Sequence, residues 1–221
     1  MKVIEHADYM VFLPQQSCRS ISSAVLNGGI SDTEAVLNLR VDKDTPPPWL
    51  PPEQTLMEKA VSLGLSFPVT GMMTAASMRS LSQVAKNRGE LMVHVWVTAG
   101  LSNTRRVGDA ADEMPKVGTI NIGVFINQPL TDTALVEALM ILTEAKVTAI
   151  RDLDIVSPIS GLPASGTGTD SHAVLCPKGK AVHHYCGKHT VVGELIGSAV
   201  LEACLQSLDK CLTQHVNAKI I

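Results

Sequence analysis

Residues 119–150 read TINIGVFINQPLTDTALVEALMILTEAKVTAI, and the fold is read outward from them. Thr119 to Ile126 is apolar almost throughout, as a strand covered on both faces must be. Gln128-Pro129-Leu130 ends it in a turn. Thr131 or Asp132 then supplies an N-cap oxygen, and a helical pattern continues to about Ile150. At 100° per residue Leu135, Leu139, Leu142 and Ile150 share one face, with Glu137 and Glu144 opposite. Lys146 falls on the apolar face. Its ammonium either snorkels to water along its stem or holds a charge at the edge of a polar site.

Before this unit, Tyr9–Leu13, Ile21–Leu26, Val36–Val41 and Phe67–Met73 read as strands, and Leu91–Thr98 as a central one. Asn27-Gly28-Gly29 is a turn signal. Five prolines between Thr45 and Pro52 make a stiff surface loop, with strand and helix patterns resuming at once on both sides. Pro51-Pro52-Glu53 opens a helix with Leu56, Met57, Ala60 and Leu63 at helical spacing, ended by Gly64. After it, residues 151–170 are loop-like and Ala173–Leu175 is a short apolar run. A last helix starts at Thr190, where Thr190, Glu194, Ser198, Glu202 and Gln206 form a polar stripe, most simply a solvent-facing seam. Gly193 and Gly197 permit close approach of a neighbour.

The chain has 221 residues, enough for one sizeable core, and the elements read as a single domain over 1–221. A net charge of −3, scattered basic residues and 3% aromatics exclude the electrostatic and stacking signatures of nucleic-acid binding. No apolar run of about 18 residues is apparent, so no membrane partner is expected. Five scattered cysteines without a CxxC pair suggest reduced thiols and a cytoplasmic protein.

Chemistry concentrates between Ala164 and Gly197. Gly166-Thr167-Gly168-Thr169-Asp170 is no dinucleotide fingerprint, because a strand rather than a helix follows it, and Gly187-Lys188-His189-Thr190 lacks the upstream glycine of a phosphate loop. Both can still offer backbone amides to an anion or oxyanion. His183, His184, Cys186 and His189 crowd into seven positions and cannot converge on one metal centre; no metal is expected. His189, beside a helix start, is the best acid–base candidate among seven histidines. Glu194 sits in a first helical turn, where the dipole already favours an acid; it is kept as a further catalytic candidate. Strand ends add Ser22, Ser23, Asn27, Thr74, Thr98, Gly100 and Asn103.

Several of these segments together resemble one family, the adenosylcobinamide amidohydrolases. The resemblance rests on Val97-Thr98-Ala99-Gly100-Leu101-Ser102-Asn103 with Arg106 and Gly108-Asp109, on Gly118-Thr119-Ile120-Asn121-Ile122, and on Thr143-Glu144-Ala145-Lys146. The 166–170 loop, Gly187-Lys188-His189-Thr190 with Gly193-Glu194-Leu195-Ile196-Gly197, Ser22-Ser23-Ala24 with Asn27-Gly28-Gly29, and Met73-Thr74-Ala75-Ala76 extend it over residues 20–200. It implies hydrolysis of the amide joining a corrin propionyl side chain to aminopropanol, yielding adenosylcobyric acid and 1-amino-2-propanol in corrinoid salvage. Cobalt then arrives with the corrinoid substrate and the protein needs no cofactor of its own. Self-association as a homo-oligomer is left open. In that setting His189 and Asp170 are the expected acid–base pair, with Glu194. Asn27, Thr98, Gly100, Asn103, Lys146, Thr167, Thr169 and Lys188 are expected to contact substrate, with amides near Gly100 or Gly187, and Asn103 or Asn27, at the oxyanion; Lys146 either holds Asp170 ionised or binds a corrin side-chain amide. Water is the first choice of nucleophile, ahead of Ser22, Ser23, Thr74 or Thr98. A corrinoid-binding module without catalysis and an amidohydrolase preferring complete cobamides are the alternatives. A second resemblance concerns fold alone. The strand, turn and helix at 119–150 and the glycine loop ending in Asp170 are similar to aminopeptidases and ornithine acetyltransferases that mature by self-cleavage. Those are αββα proteins, which implies a layered α/β (α+β) sandwich of mixed sheets with packed helices.

Overall fold

The computed structural model describes residues 1–42, 44–113 and 117–218, with the side chains of the last helix as far as residue 214. In chain order its elements are β1 (Lys2–Glu5), β2 (Tyr9–Leu13), β3 (Cys18–Ser22), β4 (Gly29–Thr33), β5 (Ala35–Arg40), α1 (Pro52–Ser62), β6 (Val69–Thr74), β7 (Ser82–Arg88), β8 (Leu91–Ala99), β9 (Thr104–Arg105), β10 (Ile120–Ile126), α2 (Asp132–Asp152), β11 (Gly166–Thr167), β12 (Ser171–Pro177) and α3 (Val191–Ala218). The larger sheet has the order β4-β3-β12-β10-β8-β7, and the smaller β1-β2-β5-β6. Each is antiparallel except at one pair, β10 with β12 and β5 with β6. β9 and β11 form a separate ribbon.

Because side chains alternate across a strand, β8 and β10 feed two core layers at once. Val93, Val95, Val97, Ile120, Ile122, Val124 and Ile126 pack on α2 and α3. Trp96 and Phe125 point the other way, onto Met10, Phe12, Val36 and Met72 of the smaller sheet. That sheet's outer face carries Val11 and Leu37 against Leu56 and Ala60 of α1. The result is four layers (α1, small sheet, large sheet, α2 with α3), the layered α/β sandwich expected from the sequence. With both faces covered, β8 and β10 lose the polar alternation of a surface strand. Gly123 makes room for the indole stacked on Phe12, since a Cβ there would lie 2.0 Å from Trp96.

Thr131 caps α2, its hydroxyl accepting from the Ala134 amide, and Asp132 in the first turn is bridged by Arg19. Thr190 plays the same part for α3 through the Gly193 amide. Gly193 lies against the Cys186 and Gly187 carbonyls, which a Cβ would meet at 2.4 and 2.3 Å. The polar stripe of α3 is not simply a solvent seam. Glu194 pairs with Arg88, Glu202 with Lys86, and Gln206 accepts from Ser82. It therefore binds β7, an edge strand whose polar sequence SQVAKNR hides it from a hydropathy reading. From Val191 to Gln214 α3 is long and apolar enough to cross a membrane, with a mean hydropathy of 1.4. Its apolar side chains, from Val192 to Cys211, are those buried in the large core.

Candidate active site

At the end of the large sheet where β8 stops and β10 and β12 begin, three loops meet. Gly100 donates its amide to the Thr119 carbonyl at 3.0 Å, tying the β8 end to the β10 start. Gly168 donates to the Asn103 carbonyl, and Ser102 Oγ donates to the Val117 carbonyl. Gly118 has φ +122, and a Cβ there would meet the Asn103 amide at 2.7 Å, so glycine is required on both counts. Between these loops and the coil 75–77 lies a cleft of about 300 Å³, lined by Ala75, Ala76, Ser77, Ala99, Gly100, Leu101, Ser102, Val117, Gly118, Cys211 and Gln214.

Asp170 organises the wall beside that cleft. One carboxylate oxygen accepts from the Ile120 amide (3.0 Å), the Thr167 amide (3.1 Å) and the Thr167 hydroxyl (2.5 Å). The other accepts from Lys146 Nζ at 2.5 Å. Both side chains are buried, at 7% exposure for Lys146 and 9% for Asp170. The lysine on the apolar face of α2 thus ends in a buried ion pair. Gly166 leaves the room for it, since a Cβ there would sit 2.2 Å from Asp170 Oδ2. Thr169 shares its hydroxyl with Thr119 and reaches the Gly118 carbonyl. Asn103, buried, packs its side-chain amide on Gly168 and accepts weakly from Arg105.

His172, two residues after Asp170, is buried with no protein partner for Nε2. Burial, and secondarily Lys146, holds its imidazole down to about 4, so it is neutral at physiological pH. Its backbone is clamped by the hydroxyls of Ser22 and Ser23.

One residue further in than the cleft wall, a polar row crosses the space between the sheets. Asn38 of β5 donates to Thr98 Oγ1 at 2.9 Å, and Asn121 of β10 donates to Asn38 Oδ1 at 2.8 Å and to the Met73 carbonyl at 3.1 Å. All three side chains are fully buried. Asn121 stands opposite Thr98 on one side and Ser171 on the other. Neither Asn38 nor Asn121 is singled out by reading the sequence. Their signal is an amide amid apolar residues of a buried strand, VLNLR and TINIGV.

The structure therefore brings together Asp170, Lys146, Thr167, Thr169, Asn103, Gly100 and Thr98. It does not bring His189 to them. The expected Asp170–His189 pairing is not formed, since the cation on Asp170 is Lys146. His189 is exposed and precedes α3, whose residue Cys211 lines the cleft. Twenty residues of helix at 1.5 Å each separate the two by about 30 Å. Glu194 is an exposed partner of Arg88, and Lys188 pairs with Glu144 at the surface. The Gly100 amide is committed to Thr119, so it is not an oxyanion donor in this conformation. Asn27, at φ 55, holds its own turn through the Asp32 carbonyl and Thr70. A larger, shallower groove of about 600 Å³ lies at the start of α3, lined by Val182, His183, His184, Tyr185 and Thr190 to Val192. There His183 is bound to Gln128 Oε1 at 2.7 Å. No group of three or more metal-binding side chains converges among the described residues. All five cysteines are buried thiols, and burial pushes Cys18, Cys186 and Cys204 up to about 12.

Comparison with known proteins places the chain in a family. The profile of the adenosylcobinamide amidohydrolases matches residues 1–215. An adenosylcobinamide amidohydrolase of Methanosarcina mazei is 30% identical over 196 residues, 85% of this chain and 88% of that protein. A protein of Methanocaldococcus jannaschii, named only as uncharacterized, is 35% identical over 157 residues, 62% of this chain and 61% of its own length. Among solved structures, the PH0078 protein of Pyrococcus horikoshii superposes with a TM-score of 0.47 at 11% identity, covering 95% of this chain and 79% of that one. The chain belongs to the adenosylcobinamide amidohydrolase family.

Proposed function

We propose that the protein hydrolyses the amide between the corrin propionyl side chain and aminopropanol in adenosylcobinamide, releasing adenosylcobyric acid and 1-amino-2-propanol. The observation that carries this reading is the family match along nearly the whole chain. The cleft supports it by size. About 300 Å³ admits an amide arm but not a macrocycle, so the corrin ring rests outside, beside the exposed Val117 at the cleft rim. Cobalt is part of the substrate and takes no step in this chemistry.

Water is the attacking group in this proposal. It adds to the amide carbon, the C–N bond breaks, and the amine leaves with a proton. Asp170 acts at one remove. With its oxygens occupied by Lys146, Thr167 and Ile120 it is poorly placed to take a proton, and it positions the 166–169 loop and the start of β10 instead. Incubating the purified protein with adenosylcobinamide and quantifying 1-amino-2-propanol tests the reading. Stoichiometric release supports it; tight binding without release supports a corrinoid-binding module. Faster release from a complete cobamide of its nucleotide-bearing aminopropanol would move the preferred substrate.

A further inference from the structure

Among the described residues, the cleft beside Val117 is lined by no charged side chain; its polar side chains are those of Ser77, Ser102 and Gln214, besides the Cys211 thiol. The two hydroxyls are engaged. Ser102 Oγ donates to the Val117 carbonyl, and Ser77 Oγ accepts from the Arg79 amide. Gln214 differs, since nothing among the described residues hydrogen-bonds its carboxamide. Its position follows from the period of α3. Leu208 and Cys211 lie on the buried stripe of that helix, and Gln214, three residues on, continues the same face. There the stripe meets the cleft, which Cys211 and Gln214 both line. Leu212 and Thr213 between them are exposed, whereas Gln214 is half-buried. The fold thus turns inward a carboxamide that it does not use itself. A primary carboxamide presents an N–H and a C=O on one edge, so it pairs through two hydrogen bonds with another primary carboxamide. A trans secondary amide carries these groups on opposite edges and is not its complement. Adenosylcobinamide offers both kinds, the secondary amide of the aminopropanol arm and primary acetamides and propionamides around the ring.

We propose that Gln214 recognises a primary carboxamide on the corrin periphery, its Oε1 accepting from the N–H and its Nε2 donating to the carbonyl oxygen. This rests on the functional reading above. With the arm in the cleft and the ring outside beside Val117, the ring side chains next to the arm hang over the opening, within reach of the half-buried Gln214. A carboxylate in the same place would bring no N–H to Oε1 and would set one lone pair against another, so Gln214 selects the neutral side chain. Gln214 touches no reacting atom. It fixes how the ring is turned at the cleft, and with that which arm enters: the one ending in aminopropanol rather than one of the primary propionamides.

The test compares the wild type, Gln214→Ala and Gln214→Arg on adenosylcobinamide and on its isomeric monoacids, in each of which one peripheral carboxamide is a carboxylate. Gln214→Ala should raise KM for adenosylcobinamide about 10-fold with kcat little changed, as when two neutral hydrogen bonds are lost equally from ground and transition states. The wild type should disfavour one monoacid by a similar factor, and Gln214→Ala should treat that isomer and adenosylcobinamide alike. Gln214→Arg, whose guanidinium pairs with a carboxylate through two bonds, should reverse the preference. An unchanged KM in Gln214→Ala, a loss confined to kcat, or a wild type that penalises every monoacid equally overturns the proposal while leaving amide hydrolysis intact. If the wild type releases no 1-amino-2-propanol, the same series is read as Kd by equilibrium dialysis, followed through the visible absorption of the corrin. One isomer bound weakly by the wild type and normally by Gln214→Ala then upholds the carboxamide subsite and refutes hydrolysis. A wild type that binds none of these corrinoids refutes both.

Discussion

Lys146→Met removes the ammonium from a pair whose side chains are 7% and 9% exposed and leaves the Asp170 carboxylate buried without a cation. Breaking a buried ion pair from one side typically costs about 3–5 kcal/mol, because the remaining charge stays desolvated. Asp170 keeps the Thr167 amide, the Thr167 hydroxyl and the Ile120 amide as donors, which places the expected loss at the lower end, about 3 kcal/mol. For a chain of this size that is roughly 6–12 °C in Tm. Asp170→Asn strands the ammonium instead and should cost a similar amount. The double variant removes both charges and should recover a large part of the loss, giving a coupling energy above about 1 kcal/mol. Urea titration followed by fluorescence of the buried Trp96 measures all four proteins. A loss under about 1 kcal/mol for Lys146→Met, or additive losses in the double variant, would refute the claim that this pair holds the wall of the cleft.

Further outcomes follow from single sites. Gly123→Ala would place a Cβ 2.0 Å from the Trp96 indole, so it should destabilise by at least about 1–3 kcal/mol and alter near-ultraviolet dichroism. Glu194→Gln breaks only an exposed pair with Arg88 and should leave turnover unchanged and stability within about 1 kcal/mol; a large fall in kcat would return Glu194 to the chemistry. His172, held at about 4 against an ordinary 6.5, is neutral in the fold. Its contribution is therefore complete above pH 6.5. As pH drops below 6.5 the unfolded chain takes up a proton that the folded chain refuses, and stability falls by up to about 1.4 kcal/mol per unit until about pH 4. Urea titrations from pH 7 to 4 should show a shallower slope in His172→Gln than in the wild type.

The parts of the fold legible in the sequence are those where burial leaves a simple mark. Thr119–Ile126 and Leu91–Thr98 are covered on both faces and read as unbroken apolar runs. Thr131 and the spacing of Leu135, Leu139 and Leu142 define α2, and Lys146 stands out against them as a charge in the middle of that face. β7 is an edge strand whose helix-facing residues Lys86 and Arg88 meet acids of α3, so its hydropathy is that of a loop. The Asp170–His189 pairing fails for a geometric reason. Only 19 residues separate them, but β12 carries the chain about 23 Å away across the sheet at 3.3 Å per residue. The chain then turns back at the far end, where His183 bridges to Leu130. Asn38 and Asn121 escape notice because an amide inside a strand has no periodic signature until its partners on the other sheet are known.

The central claim is that water cleaves the aminopropanol amide of adenosylcobinamide. Turnover in water enriched with oxygen-18 tests it most directly, with mass spectrometry of both products. The account predicts unlabelled 1-amino-2-propanol and one heavy oxygen in the new carboxylate of adenosylcobyric acid. Intact adenosylcobinamide after prolonged incubation, or a carboxylate free of label, would contradict it.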